Sequence, residues 1–331
     1  MNASRVTAAC AAALVVGALG AASAEAHKGQ PHDLKQGKTS SALTKKGKVS
    51  ARASRTDNRT KPIVFVHGLD AIGTAGVDCA STWNNMANTL TGWGHSGTKA
   101  TVMYYHGDTN CSYALDHHGS HSTHYPRTDA HQNGSHDMDG DIRHLGYHLA
   151  WMIYDHWSAS NVTVDAVGHS MGGLILRYAI DRVEAKDPSF PSSLLVEDVV
   201  TLGTPHTGSG YAALCPWAYQ CNQMNTGSSF MTWMAANAQN PQGTGGTDWT
   251  LQGSYDDGVV SQNSATGMTA SHKVKYLGTM NIGHSDFMND TSDVRDADVE
   301  WNDAPSTTWY SWYDAPHSVR WSDFALFYGS W

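Results

Sequence analysis

The chain has 331 residues, of which 40% are hydrophobic and 15% are charged, and its formal net charge is −9 at pH 7. This length allows one large domain or two ordinary ones, and the composition along the chain favours one. The acidic balance excludes a protein that binds nucleic acid through a basic surface.

The first 26 residues differ in composition from the rest of the chain. They contain Arg5, an apolar run from Val6 to Leu19, and small residues from Ala22 to Ala24. This pattern is typical of a secretory signal peptide and predicts a secreted, extracellular protein. A membrane anchor is the alternative interpretation, but the run is too short and too rich in Ala and Gly to span a bilayer.

The charge of the chain changes sign after residue 61. Residues 27–61 hold ten Lys and Arg, two Asp and few apolar side chains, a net charge of +8. This composition predicts a basic flexible linker or pro-segment, with a tether to an anionic surface as the alternative. Residues 62–331 have 10 Lys and Arg against 27 Asp and Glu, a net charge of −17. We expect one domain over residues 62–331, which repels nucleic acid and has carboxylates to spare for a cation.

Three regular elements are predicted at the start of this domain. Pro62–Val66 is strongly apolar and predicts a buried parallel strand that ends in a loop at residues 67–69. A helix is predicted over Ser81–Leu90 with Ser81 as its N-cap, and a strand over Ala100–Tyr105.

A segment rich in histidine follows. Residues 106–141 contain His106, His117, His118, His121, His124, His131 and His136. A metal site is one interpretation, but the irregular spacing provides no clear ligand set and favours a solvated loop at the mouth of the site. The next helix is predicted over Asp139–Trp157. On it, His144 and His148 lie one turn apart without a third ligand, so we interpret them as surface or packing residues.

The most informative stretch is a strand, a tight turn and a helix. Val162–Val167 is β-branched, and the residues after the turn have apolar side chains at helical spacing. The turn between them reads Gly168-His-Ser170-Met-Gly172, a G-x-S-x-G pattern in the context that gives it meaning. Such a turn exposes a serine hydroxyl at the helix N-terminus, which predicts Ser170 as a nucleophile. The backbone N–H groups of Met171 and Leu69 are the expected oxyanion donors.

Two later strands supply candidates for an acid and a base. A buried strand is first predicted over Leu195–Gly203, and strands over Trp249–Ser254 and Lys273–Leu277 follow it. The strand ending at Ser254 leads into Asp256 and Asp257, and the one ending at Leu277 leads into His284. The order Ser, Asp, His is the order of an α/β-hydrolase triad. We therefore predict Ser170, Asp257 and His284 as catalytic residues, with Asp256 as the alternative acid.

Three further features remain after the triad. The segment Tyr211–Met234 mixes apolar and small polar residues, which fits either a lid over an apolar substrate or a helical excursion packed on the core. The tail from Asp290 to Trp331 is rich in aromatics, which either pack over the edge of the sheet, the reading we favour, or line a substrate groove. Four cysteines, Cys79, Cys111, Cys215 and Cys221, are expected to form two disulfides. Three pairings are possible, and sequence neighbourhood favours Cys79 with Cys111 and Cys215 with Cys221.

Taken together, these motifs resemble secreted bacterial α/β-hydrolase lipases and esterases of the class 2 lipase type. The residues that carry the resemblance are Gly168-His-Ser-Met-Gly-Gly-Leu, Leu202-Gly-Thr-Pro-His, Cys221-Asn-Gln-Met, Gly227-Ser-Ser-Phe, Asp257-Gly-Val-Val and Gly283-His-Ser-Asp286. The resemblance implies hydrolysis of lipid or short acyl esters. It also implies Asp257 as the acid, and Asp286 as a ligand of a structural calcium ion, with Asp248 as a candidate partner ligand.

The sequence therefore predicts a doubly wound, mostly parallel α/β-hydrolase sheet with helices on both faces and a lid-like insertion. It predicts a serine carboxylic-ester hydrolase whose chemistry needs no cofactor, acting on a lipid or ester substrate at an interface. A depolymerase of polyesters or polyhydroxyalkanoates with the same triad is the alternative. A non-catalytic secreted binding protein, with a relic pocket or a metal-buffering histidine loop, is a more remote one.

Overall fold

The computed structural model describes residues 57–70, 76–115, 140–244, 246–291, 294–301 and 309–328. The predicted signal peptide, most of the predicted linker and most of the histidine-rich segment lie outside these described residues. Within the described ranges, no helix combines the length and the apolar character needed to cross a membrane.

A nine-stranded sheet organises the described part of the chain. In chain order its strands are β1 Ile63–Val66, β2 Lys99–Met103, β3 Tyr113–Ala114, β4 Val164–His169, β5 Val196–Leu202, β6 Asp248–Ser254, β7 His272–Tyr276, β8 Arg295–Trp301 and β9 Tyr310–Ala315. Their order across the sheet is β3-β2-β1-β4-β5-β6-β7-β8-β9. Strands β1 to β7 pair in parallel, while β8 and β9 are antiparallel. The predicted doubly wound, mostly parallel sheet is confirmed.

Helices cover both faces of this sheet. They are α1 Cys79–Gly92, α2 Ile142–His156, α3 Met171–Glu184, α4 Tyr219–Met224, α5 Ser229–Asn237, α6 Gln262–Ala265 and α7 Ser318–Phe327. Helices α2, α3 and α5 contribute to one apolar core, and helices α1 and α7 contribute to the other. With both faces covered, all residues of β1, β4 and β5 are buried, which explains why β1 is an unbroken apolar run and why apolar residues outnumber polar ones in β4 and β5.

The N-terminal caps correct two predicted helix starts. Helix α1 begins before Ser81, because the Asp78 carboxylate accepts the N–H groups of Ala80 and Ser81. Helix α2 begins after Asp141, whose side chain accepts the Arg143 N–H. A carboxylate at this position also interacts favourably with the helix dipole.

The predicted boundary between linker and domain needs a correction. Lys61 and Arg59 were assigned to the linker from their charge, but both are held by the domain. Lys61 is 5% exposed, and the Arg59 guanidinium lies 3.1 Å from a carboxylate oxygen of Asp323 in α7. The backbone N–H of Asn58 also donates to the Phe327 carbonyl at 3.0 Å. The domain therefore includes residues 58–61.

The aromatic tail forms structure that the sequence did not predict. It supplies β8, β9 and α7, which extend one edge of the sheet and cover part of one face. Trp321 of α7 is buried in the core, whereas Tyr310 and Tyr313 of β9 are 46% and 42% exposed. Packing against the sheet, the favoured interpretation of the tail, therefore holds for Trp321.

Both disulfides join sequence neighbours, as predicted. Cys79 is bonded to Cys111, and Cys215 to Cys221. The two disulfides suggest an oxidising or extracellular environment.

The segment Tyr211–Met234 combines features of both of its predicted interpretations. Phe230 and Met234 of α5 are buried in the core, as expected of a packed helical excursion. Tyr211, Leu214 and Trp217 are 46%, 64% and 66% exposed, as expected of an apolar surface that meets a substrate.

Candidate active site

The backbone turn at Ser170 places its hydroxyl where the sequence predicts it. Strand β4 ends at His169 and α3 begins at Met171, so Ser170 alone makes the turn, with φ 53° and ψ −126°. A non-glycine residue with positive φ is strained and persists only where its surroundings hold it. Here the Ser170 N–H donates to the Leu202 carbonyl at 2.9 Å. A Cβ at Gly172 would lie 2.1 Å from the Val66 carbonyl oxygen, so only glycine fits beside the turn.

Ser170, His284 and Asp257 lie in one chain of hydrogen bonds. His284 Nε2 is 2.9 Å from Ser170 Oγ, and His284 Nδ1 is 2.8 Å from Asp257 Oδ2. The ionised carboxylate can only accept, so Nδ1 carries the hydrogen and Nε2 is free to accept the serine proton. The other Asp257 oxygen accepts the N–H groups of Val259 and Val260 at 2.8 and 2.9 Å. These contacts fix the carboxylate against the imidazole, while the catalytic role of the three residues stays a prediction.

Asp256, the alternative acid, points elsewhere. Its Oδ2 accepts the backbone N–H groups of Thr279 and Asn281 at 3.1 and 2.8 Å. Both donors lie in the loop that leads to His284. Asp256 therefore holds the histidine loop, and its neighbour Asp257 contacts the imidazole.

His169, next to the serine, also supports the histidine loop. Its Nε2 lies 2.7 Å from the His284 carbonyl oxygen, to which it donates. Burial, together with the nearby His284, lowers the pKa of His169 to about 3. His169 is therefore neutral at physiological pH and adds no positive charge beside the site.

The two predicted oxyanion donors flank the serine. Gly68 comes so close that a Cβ there would lie 2.7 Å from the Ser170 Cβ, which brings the next residue, Leu69, to the site. Met171 is the first residue of α3, where backbone N–H groups have no partner within the helix. Among the described residues, no hydrogen bond from either N–H to another protein group is found; their role as oxyanion donors stays a prediction.

The predicted calcium ligands do not form a metal site. Asp286 is exposed, and its Oδ2 accepts the Gly283 N–H at 2.8 Å. Asp248 is the first residue of β6. It lies at the opposite end of the strands from the loop after β7, which carries Asp286. Calcium takes six to eight oxygen ligands, and these two carboxylates cannot share one ion.

A second group of charges was missed by the sequence analysis. The carboxylates of Asp165, Glu197 and Asp198 are close enough to hold a cation. Lys61 Nζ already occupies this place, 2.8, 3.3 and 2.9 Å from their oxygens. The available signal was the presence of acidic residues near the starts of strands that are otherwise apolar.

Comparisons with known proteins agree with this reading of the chain. A family model described as "Putative serine esterase (DUF676)" matches residues 123–275, just under half of the chain. The matched range includes Ser170 and Asp257 and ends before His284. No curated protein is similar enough to count as a match.

Several solved structures are similar to this chain. Similar structures include the BlEst2 lipase of Bacillus licheniformis in propeptide form, with 19% identity, 72% of this chain and 49% of that chain covered, and a TM-score of 0.43. They also include Aspergillus fumigatus lipase B, with 13% identity, 72% and 52% covered, and a TM-score of 0.44. A third is the BphD hydrolase of Rhodococcus, with 12% identity, 70% and 87% covered, and a TM-score of 0.40.

These similarities are distant, and the chain spans about half the length of the Bacillus lipase chain. They do not distinguish a class 2 lipase from other lipases and esterases, so that subfamily stays a prediction. The sheet topology and the serine esterase match nevertheless agree with the resemblance drawn from the motifs. This chain therefore has the α/β-hydrolase fold and resembles the serine esterases and lipases of that fold.

Proposed function

We propose that this chain is a secreted serine carboxylic-ester hydrolase that forms an acyl-enzyme on Ser170. The observation that carries the proposal is the continuous hydrogen-bonded chain from Asp257 through His284 to Ser170. The serine esterase match supports the reaction class. A serine hydroxyl is a weak nucleophile until an adjacent base takes its proton, and this arrangement supplies that base.

In the first half of the reaction, Ser170 Oγ attacks the ester carbonyl carbon as its proton passes to His284 Nε2. Asp257 accepts a hydrogen bond from the Nδ1–H and stabilises the imidazolium that forms. The carbonyl oxygen becomes an oxyanion and binds the N–H groups of Leu69 and Met171. When the tetrahedral intermediate collapses, His284 returns the proton to the leaving alcohol, and the acyl group stays on Ser170.

The second half releases the acid. Water takes the place of the alcohol, and His284 Nε2 removes its proton as the oxygen attacks the acyl carbonyl. Collapse of the second intermediate returns the proton to Ser170 Oγ and frees the carboxylic acid. The same donors bind both oxyanions, so the site needs no rearrangement between the two halves.

The substrate we propose is an acyl ester presented at a lipid surface. Tyr211, Leu214 and Trp217 are large apolar side chains exposed on one short segment. Large apolar groups exposed together on a protein surface often mark an interaction site. A net charge of −17 on residues 62–331 disfavours an anionic lipid surface, so we expect a neutral or zwitterionic one.

Secretion is part of the proposal. It is supported by the signal-peptide pattern of residues 1–26 and by the two disulfides, which persist in oxidising compartments.

The test is ester turnover by the wild-type chain and by Ser170→Ala. We expect the wild type to hydrolyse p-nitrophenyl esters and to be labelled on Ser170 by a fluorophosphonate. The variant should keep the fold and lose turnover by on the order of 10⁶-fold, because it has no nucleophile. Thr204→Ser, a conservative change of a hydroxyl residue outside the triad, is the matched control. Wild-type turnover in Ser170→Ala would contradict the proposal.

A further inference from the structure

Behind the loop that carries Leu69, three buried side chains form a polar network that the sequence analysis did not recognise. They are His67, Tyr104 and Asp108, which are 1%, 2% and 6% exposed. The His67 and Tyr104 rings stack with their centroids 4.0 Å apart. A buried polar group lowers the stability of the fold unless it is hydrogen-bonded, so each of these three side chains is expected to have hydrogen-bond partners.

The His67 ring lies between two groups that can only accept hydrogen bonds. Its Nε2 is 3.0 Å from Asp108 Oδ2, and its Nδ1 is 2.8 Å from the Gly68 carbonyl oxygen. Each ring nitrogen therefore faces an oxygen, and the nitrogen that carries hydrogen donates to the oxygen it faces; which nitrogen that is depends on the tautomer.

Asp108 is built to stay ionised in this buried position. Its Oδ2 also accepts the N–H groups of Tyr104 and Tyr105 at 2.9 and 2.8 Å, and its Oδ1 accepts the Val77 N–H at 2.7 Å. Burial by itself would raise the pKa of Asp108, but the hydrogen bond and charge of His67 and the backbone donors outweigh it, and the pKa is lowered.

The Tyr104 hydroxyl completes the network. Its oxygen lies 2.5 Å from the His67 carbonyl oxygen and 2.8 Å from the Gly68 carbonyl oxygen, and its single hydrogen is shared between these two acceptors. The Gly68 carbonyl oxygen therefore lies within hydrogen-bond distance of both the Tyr104 hydroxyl and His67 Nδ1, two buried groups that fix its direction.

The direction of the Gly68 carbonyl determines the direction of the Leu69 N–H. The two groups belong to one planar trans peptide, in which the C=O and N–H bonds point in opposite directions. Holding the carbonyl toward Tyr104 and His67 therefore turns the Leu69 N–H the other way. The Leu69 side chain packs against the apolar cluster of Cys215, Ala218 and Cys221. This contact restrains the same residue through its side chain.

We infer that Tyr104, His67 and Asp108 are positioning residues that aim the Leu69 N–H at the oxyanion of the transition state. The inference rests on the proposed function, because it assigns a task only if Ser170 attacks a carbonyl. A donor that is held in place before the reaction needs no reorganisation when charge develops, and this is the source of its effect.

The first experiment uses Tyr104→Phe, which removes one oxygen and keeps the ring stacked on His67. We expect kcat for a short p-nitrophenyl ester to fall about 10- to 100-fold with KM nearly unchanged, since the donor acts mainly in the transition state. The Ki of a trifluoromethyl ketone, which forms a tetrahedral oxyanion on Ser170, should rise by the same factor. A role in folding alone would not move kcat and this Ki together.

The matched control is Tyr276→Phe. Tyr276 is also fully buried, and its hydroxyl donates to Gln252 Oε1 at 3.0 Å, in the other core of the domain. It should lose stability comparable to Tyr104→Phe while keeping wild-type kcat and Ki. Asp108→Asn is a second variant. It removes the carboxylate that lies 3.0 Å from His67 Nε2 and accepts the Tyr104 N–H, and it should reduce kcat at least as much as Tyr104→Phe.

The outcomes separate this inference from the proposed function. If the wild type hydrolyses esters and labels on Ser170, but Tyr104→Phe keeps the wild-type kcat and Ki, the inference is wrong and the proposed function stands. If the wild type shows neither turnover nor labelling, the proposed function fails first. A joint change of kcat and Ki in Tyr104→Phe, absent from Tyr276→Phe, supports the inference.

Discussion

The two ends of the parallel strands carry charged groups in different surroundings. We call the end at which β1 and β4 begin the starting edge, and the end at which they finish the ending edge. Strand β4 has Asp165 near its start and Ser170 just after its end, and β1 follows Lys61 and precedes the Leu69 loop. At the starting edge, the Lys61 and Asp165 side chains are 4% and 1% exposed and bind each other. At the other edge, the His284 side chain is 15% exposed and contacts a serine.

This difference in exposure and contacts explains why similar charged groups have different roles. At the starting edge, three carboxylates surround one ammonium in a sealed site, so the charges can only stabilise or destabilise the fold. At the ending edge, the His284 imidazole keeps some exposure to solvent and contacts the Ser170 hydroxyl. In open α/β sheets, ligands bind at the carboxyl ends of the strands, which is where these residues lie.

The largest expected effect lies at the ending edge. Asp257→Asn should lower kcat by about 10⁴-fold, because the amide no longer holds the His284 tautomer that can accept the serine proton. Asp256→Asn is the matched control, since its side chain can still accept the Thr279 and Asn281 N–H groups through its amide oxygen. Steady-state kinetics on a p-nitrophenyl ester measures both. Equal losses in the two variants would remove the distinction between the neighbouring carboxylates.

The next effect is expected at the starting edge, and it concerns stability. Lys61→Met leaves three buried carboxylates without a cation and should lower the free energy of unfolding by about 3–5 kcal/mol. Urea unfolding followed by fluorescence measures this change. Turnover per folded molecule should stay near that of the wild type, because the triad lies at the other edge of the sheet.

Arg59→Met provides the control for Lys61→Met. Arg59 is 28% exposed, and Asp323 keeps Arg320 and His95 as partners when Arg59 is removed. We expect a loss of no more than about 1 kcal/mol, as for other partly exposed ion pairs. If Lys61→Met is as stable as Arg59→Met, the three buried carboxylates do not need the Lys61 ammonium for the stability of the fold.

The smallest expected effect concerns the pH dependence of stability. Burial raises the pKa of Asp198 to about 7, although Lys61 opposes the shift. A carboxyl whose pKa is higher in the folded chain stabilises the fold below its ordinary pKa, and this contribution is lost as pH rises through about 7. The wild-type melting temperature should therefore fall over this range relative to Asp198→Asn.

At pH 8 the Asp198→Asn variant should be the more stable protein, by about 1 kcal/mol, because one buried like charge is gone while Lys61 keeps two carboxylate partners. Scanning calorimetry from pH 4 to pH 8 follows the difference. If the difference in melting temperature between the two proteins is the same at every pH, the proton uptake assigned to Asp198 is wrong.

Much of the ending edge could be predicted from the sequence, because its constraints are local. The turn at Ser170 needs small neighbours and a strand and helix on either side, and all of these lie within one short stretch of the chain. The proximity of Ser170, Asp257 and His284 follows from the parallel topology, in which the carboxyl ends of the strands lie at the same end of the sheet. Their catalytic role remains a prediction.

The sequence was less informative where the partners are far apart in the chain. Lys61 was placed in a linker because of its basic neighbours, yet it binds Asp165 and Asp198, more than 100 residues away. The strands β8 and β9 were missed because neither is a strongly apolar run: β8 reads Arg-Asp-Ala-Asp-Val-Glu-Trp and β9 reads Tyr-Ser-Trp-Tyr-Asp-Ala. They became strands only by pairing with β7 and with each other.

Local patterns in the chain were enough to predict the nucleophile turn and most of the parallel strands, because short-range spacing and hydrophobic periodicity specify them. The tertiary structure was needed to choose among the three possible disulfide pairings, to show which of two adjacent aspartates faces His284, and to bring Tyr104, His67 and Asp108 together behind Leu69. The physical reason is that hydrogen bonds are directional and short. Which donor reaches which acceptor depends on how the strands align across the sheet, and no local pattern in the chain records that alignment.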